Sequence, residues 1–122
     1  MVASTLRDNL GIELQMCETL IPQVQNSDTV STVRDIVTSL DPLALTCLFK
    51  MTQSSKSAAI SLCTLYGHLT VEQAVKAART DENFQIEKFG LVEGAHDLDE
   101  TNLYTTFTSA KTIVNLAQLR DI

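Results

Sequence analysis

The chain has 122 residues, 44% of them hydrophobic, with four Gly, two Pro, no Trp and a formal net charge of −6. That length is one compact domain with enough material for a core, and the composition favours helices around an aliphatic interior. Nine Lys and Arg without a basic run argue against a nucleic-acid or anionic-membrane surface, since both need clustered cations. No apolar run approaches membrane-spanning length, so no membrane insertion is expected. Arg7 against Asp8, Glu13 and Glu18 is the wrong balance for a transit peptide.

Leu10, Leu14, Cys17, Ile21 and Val24 recur in steps of four and three, the spacing of one helical stripe. Ser4 or Thr5 would cap its start, and Pro22 falls near its end. Gln25 to Asp28 is a polar break. Val30, Val33, Val37 and Leu40 make a second stripe. Asp41-Pro42 restarts the chain as an N-cap followed by a proline at the first helical position. That third helix runs through Leu45, Leu48 and Phe49 to about Gln53.

A fourth helix places Ala58, Ala59, Leu62, Leu65 and Tyr66 on one side, and Gly67 is placed to end it in a left-handed conformation. Thr70 with Gln73 is a capping box. It opens a helix that buries Val71, Ala74, Val75 and Ala78, with Glu72 and Lys76 paired outside. Asp81-Glu82 starts the next helix, whose apolar members are Phe84, Ile86, Phe89, Val92 and Ala95. Asp99 or Thr101 starts the last one, with Leu103, Phe107, Ala110, Val114 and Ala117 as its stripe. No strand pattern or hairpin signal appears. The expectation is an all-α, irregular bundle of about six to seven helices.

Charge is distributed unevenly. Between Asp81 and Glu100 lie seven acids and one base, Lys88, which is −6; the rest of the chain holds eight of each. A stretch that carries the whole net charge is a candidate docking face for a basic partner. The bland alternative is a solvated acidic face. Gly90 and Gly94, read as lying four apart inside this helix, would bare a strip that another backbone could approach. Glu93 and Asp97 would flank it, with Ile86 and Phe89 nearby. Close internal packing is the rival use of such a strip.

Three other groups invite chemistry. His96-Asp97, with His68 and Asp121, nominally matches the ligand set of an HD-type metal-dependent phosphohydrolase. The match is weak, because His68 follows a turn and Asp121 stands next to the end of the sequence. Lys56-Ser57 at a helix start could hold an anion, but the glycine frame of a phosphate loop is missing, and no nucleophile elbow surrounds Ser57. Capping by serine is the simpler role. Cys17, Cys47 and Cys63 have no paired spacing and read as small buried hydrophobes on helices.

One resemblance draws these observations together. The run Thr70-Val71-Glu72-Gln73-Ala74-Val75, then Glu82, then Phe84-Gln85-Ile86-Glu87-Lys88-Phe89-Gly90, then Val92-Glu93 and Ala95-His96-Asp97 resembles the mitochondrial F1-ATPase assembly chaperones that bind the alpha subunit. The likeness is specific over residues 70 to 100 and looser elsewhere, where Arg7 to Glu13 and Lys56-Ser57 also fit. It implies that residues 1–122 are the C-terminal helical domain of that family, without its N-terminal β-rich domain. Leu10, Phe89 and Gly94 stand where many relatives carry Trp, so aromatic anchors are fewer here. The implied role is non-enzymatic and needs no cofactor or metal. The domain would hold the unassembled F1 alpha subunit in the mitochondrial matrix, or in the cytoplasm of a related bacterium, until the beta subunit replaces it. Glu93 matches a family acid implicated in function, and Asp97, Glu87, Gln85 and Phe89 complete the expected binding set. A generic helical adaptor is the alternative of a different class.

Overall fold

The computed structural model describes residues 1–19, 21–91 and 94–120. Among them are seven helices and no strand: α1 Val2–Leu10, α2 Ser27–Ser39, α3 Pro42–Ser55, α4 Ala58–Leu65, α5 Val71–Ala78, α6 Thr80–Phe89 and α7 His96–Arg120. The all-α bundle expected from periodicity is the one observed.

The hub is α4. Every residue from Ile60 to Leu65 is buried, and the helix packs against α1, α3, α5 and α7. A helix surrounded on all sides has to be apolar all round. Its two buried hydroxyls are satisfied locally: Ser61 donates to the Ser57 carbonyl at 2.9 Å and Thr64 to the Ile60 carbonyl at 2.8 Å. The long helix α7 lies on α3 and α5 and buries Leu103, Phe107, Ala110 and Val114, four members of the predicted stripe. Burying Phe107 completely stabilises the fold by about 3 kcal/mol relative to leaving it in water.

Local chemistry sets the helix boundaries. The Asp41 carboxylate accepts from the Ala44 amide at 2.8 Å, with Pro42 at the first helical position of α3. Ser57 caps α4 by accepting from the Ile60 amide. Thr70 and Gln73 exchange both bonds of the capping box, at 3.0 and 3.2 Å. After α4 the chain turns with Gly67 at a φ of 79°, and Lys111 of α7 reaches over to donate to the Leu65 carbonyl. On the outer side of α7, the hydroxyls of Thr101, Thr105 and Thr112 each donate to the carbonyl four residues back.

The first expected helix is misplaced. The spacing from Leu10 to Val24 suggests a helix, yet α1 ends at Leu10 and Gly11 closes it in the left-handed region at a φ of 66°. Ser4 and Thr5 lie inside α1 and donate to the Met1 carbonyl. The described residues from Gly11 to Asn26 carry no helix; Ile12 drops into the core, whereas Ile21 and Val24 face solvent. Two hydrogen bonds close this loop, the Gln15 amide donating to the Gln25 side-chain oxygen and the Gln25 side-chain amide donating to the Gln15 carbonyl, and Thr29 donates to the Glu13 carbonyl at 2.6 Å. Cys17 is exposed there, which corrects its reading as a buried hydrophobe; Cys47 and Cys63 are buried as expected. Three smaller corrections follow. Leu45 and Phe49 are exposed while α3 buries Cys47, Leu48 and Met51. Val30 and Tyr66 are exposed rather than packed. Glu72 and Lys76 form no ion pair; the pairs among the described residues are Arg7–Asp8 and Arg79–Glu100.

Candidate docking surface

The acidic segment is two helices, not one. α6 stops at Phe89, and Gly90 follows at φ 87° and ψ 162°, a conformation that only glycine adopts readily. Gly94 also has a positive φ, at 81°. The chain then starts α7 at His96, earlier than the Asp99 or Thr101 expected. A Cβ placed on Gly90 or Gly94 would meet nothing within 4 Å. The two glycines therefore turn the chain, and the idea of a bare strip inside a helix, meant for a closely approaching backbone, is wrong. Val92 and Glu93, the first choice for recognition, lie outside the described residues.

The other predicted site residues are all on the surface. Gln85, Glu87 and Phe89 are exposed on α6, and Asp97 is exposed in the first turn of α7. α6 buries none of its side chains. Glu82 and Ile86, one turn apart, are half-covered and mark the side of α6 nearest the bundle. At about 100° per residue, Phe84 and Lys88 point directly away from the bundle. Gln85 stands on one flank, with Phe89 between it and the bundle-facing side at the helix end, and Glu87 stands on the other flank. The predicted set is thus divided between two flanks of α6 and the start of α7.

The chemistry on view is apolar and anionic together. Phe84, Phe89, Leu91 and Leu98 are exposed at 56%, 84%, 52% and 63%. Asp81, Glu87, Asp97 and Asp99 are exposed around them. Lys88 Nζ lies 5.2 Å from the centre of the Phe84 ring, so the segment's only base is occupied over an aromatic face. A cleft of about 540 Å³ separates the end of α3 from α6 and α7, lined in part by Ser55, Lys56, Glu82, Asp99 and Asn102.

Sequence reasoning missed Arg79. It sits between Ala78 and Thr80, at the seam of two apolar patterns, and nothing in either pattern marks it. In the structure it is buried at 4% exposure and bonded to the start of α7.

Among the described residues no three His, Cys, Asp or Glu side chains come together as metal ligands. His96 and Asp97 are in the first turn of α7, His68 is in the exposed turn after α4, and Asp121 lies outside the described residues. No described helix is long and apolar enough to cross a membrane. Ser57 is engaged in capping, as its sequence context suggests. Burial pushes the Cys47 and Cys63 thiols up, away from thiolate chemistry.

Fold and surface together give a helical bundle that displays an acidic, aromatic-bearing helix on its outside. No family model matches the chain. Over 109 residues, 87% of its length, it is 25% identical to the protein atp12, mitochondrial, of Schizosaccharomyces pombe, and covers 38% of that protein. The crystal structure of Atp12 from Paracoccus denitrificans shares the fold at a TM-score of 0.86 with 24% identity, over 94% of this chain and 49% of that one. A singly substituted form of the same Paracoccus protein gives 0.87 at 23% identity, and the Agrobacterium tumefaciens protein Atu1473, a candidate chaperone, gives 0.76 at 24%. The chain is homologous to Atp12 over its helical length. It spans less than half the length of these relatives.

Proposed function

We propose that this chain is the client-binding helical domain of an ATP synthase assembly chaperone, equivalent to the C-terminal domain of that family. The client is the unassembled F1 alpha subunit, held until the beta subunit takes its place. A lone subunit exposes an apolar interface that invites aggregation, and a protein that covers the patch reversibly prevents this. The role needs no cofactor and no catalytic group. By analogy with the mitochondrial relative, the site of action is the mitochondrial matrix, or the cytoplasm in a bacterium that carries such a protein.

The observation that supports the reading best is α6. A helix that buries no side chain fully yet carries two exposed phenylalanines beside carboxylates is poorly explained as part of the core. It suits a partner that offers apolar surface flanked by cations. Carboxylates at the rim speed encounter and select the partner, while affinity stays modest enough for release. Glu93 and Asp97 are the acids assigned to client recognition, with Glu87, Gln85 and Phe89 in support.

The test is complex formation with isolated F1 alpha subunit, read by size-exclusion chromatography with light scattering, for the unmodified chain and for Glu93→Lys and Asp97→Lys. Binding lost in either variant at unchanged thermal stability supports the assignment. A variant that unfolds shows that its acid is structural. An unmodified chain that binds no alpha subunit refutes the proposal.

A further inference from the structure

Among the described residues, Arg79 is the one charged side chain that is buried. It occupies the single-residue break between α5 and α6 and closes both ends. Its amide donates to the Val75 carbonyl, and its own carbonyl accepts from the Asn83 amide. From this elbow the guanidinium reaches across to α7. Nη1 pairs with the Glu100 carboxylate at 2.5 Å, and Nη2 donates to the His96 carbonyl at 3.1 Å. Nε is buried and has no acceptor among the described residues. A desolvated cation with an unused donor costs free energy, and an apolar side chain of similar volume would pack at lower cost. Packing alone therefore does not account for an arginine here.

Geometry does. α6 buries no side chain fully, and only Glu82 and Ile86 are half-covered against the bundle, so its own packing holds it weakly. The elbow at Arg79 is its attachment, and the guanidinium fastens that elbow to the first turn of α7, where Asp97 and Asp99 project. We propose that Arg79 is the positioning residue of the docking surface: it fixes the spacing between the phenylalanines of α6 and the carboxylates at the start of α7, so that one partner segment meets both. This rests on the docking role proposed above and specifies its geometry. Glu100 is engaged with Arg79 and belongs to the frame. The acids of α7 left for a partner's cation are Asp97 and Asp99, and the fitting segment carries an apolar side chain next to a basic one.

The experiment uses the whole chain in four forms: unmodified, Arg79→Met, Arg79→Lys and Glu100→Gln. Two quantities are read, amide hydrogen exchange and affinity for isolated F1 alpha subunit. Arg79→Met is expected to speed exchange roughly tenfold at residues 83–89 and 100–104 while Ile60 to Leu65 stay protected, and to weaken binding by about tenfold. Arg79→Lys, which keeps the charge with a single head group, recovers part of both. Should Arg79→Met loosen α4 as well, Glu100→Gln decides, because it weakens the tether by removing the charge of the pair and leaves the arginine stem packed; the role then requires it to weaken binding too. Unchanged exchange at 100–104 overturns the proposal, and so does faster exchange with unaltered affinity. An unmodified chain that ignores the alpha subunit sinks the docking role, and the fastening of α6 to α7 is then judged by exchange alone.

Discussion

Phe89→Ala separates recognition from folding most cleanly. Phe89 is 84% exposed at the end of α6, so about one sixth of a side-chain surface of roughly 200 Å² is covered in the free chain. At about 25 cal/mol per Å², that contact stabilises the fold by ~0.8 kcal/mol at most. Alanine returns a few tenths of a kcal/mol through its higher helix propensity. The net loss is about 0.5 kcal/mol, a fall in melting temperature of roughly 2–3 °C for a domain of this size. Binding is a different matter. Covering the remaining surface against a partner is worth up to ~4 kcal/mol before ordering costs, and an aromatic at the centre of an interface loses about 2 kcal/mol or more on truncation. That is roughly a thirtyfold weaker complex. Calorimetric unfolding and titration calorimetry against isolated alpha subunit measure the two numbers on the same preparation. A fall in melting temperature beyond about 8 °C, or an unchanged affinity, would refute the reasoning: the first makes Phe89 a packing residue, and the second places the interface elsewhere.

Two further outcomes follow from local chemistry. Thr70→Ala removes the side-chain acceptor of the capping box and leaves the Gln73 amide unpaired, which should cost about 1 kcal/mol in urea unfolding with an unchanged slope; no loss would mean that water replaces the cap. Cys17 is exposed, and the Thr19 hydroxyl against its sulfur, assisted by the Thr19 and Gln23 backbone, draws its thiol below the ordinary value. Iodoacetamide should alkylate Cys17 first, with a rate that climbs at lower pH than for a free cysteine, while Cys47 and Cys63 react only on unfolding. Because the folded-state value is depressed, ionisation of Cys17 favours the folded chain above the unfolded-state pKa, and that contribution fades as pH falls through the folded value. Peptide mapping after brief labelling decides it, and early label on Cys47 or Cys63 would contradict the burial.

The sequence was most readable where one or two residues complete their own chemistry. Asp41-Pro42, Ser57 and the Thr70–Gln73 pair start helices by bonds made within three positions, and no tertiary contact is needed to recognise them. The stripe of α7 was legible because its one buried face is long. Periodicity failed where tertiary forces overrode it. Leu10 to Val24 has helical spacing, but the left-handed Gly11 and Pro22 break the backbone, and Ile12 gains more by entering the core from a loop. Gly90 and Gly94 resemble gaps in a helix surface because spacing alone does not distinguish a glycine that admits a neighbour from one that ends the helix. Of the candidate site, the acidic segment was visible as charge, and its exposure as two short arms was not. Arg79 left no pattern, since the meaning of a single buried cation depends on residues seventeen to twenty-one positions further on.

The outer side of α7 has a consequence for how this surface meets copies of itself. Thr101, Thr105 and Thr112 spend their hydroxyl protons on carbonyls within their own helix. Beside them Asn102, Thr108 and Asn115 are exposed with donors of their own, so the middle of the helix both gives and takes. The start of α7 is one-sided instead, because Asp97 and Asp99 are exposed there. Two copies meeting at that end would repel, whereas a visitor rich in N–H groups, arginine above all, meets charge of the opposite sign.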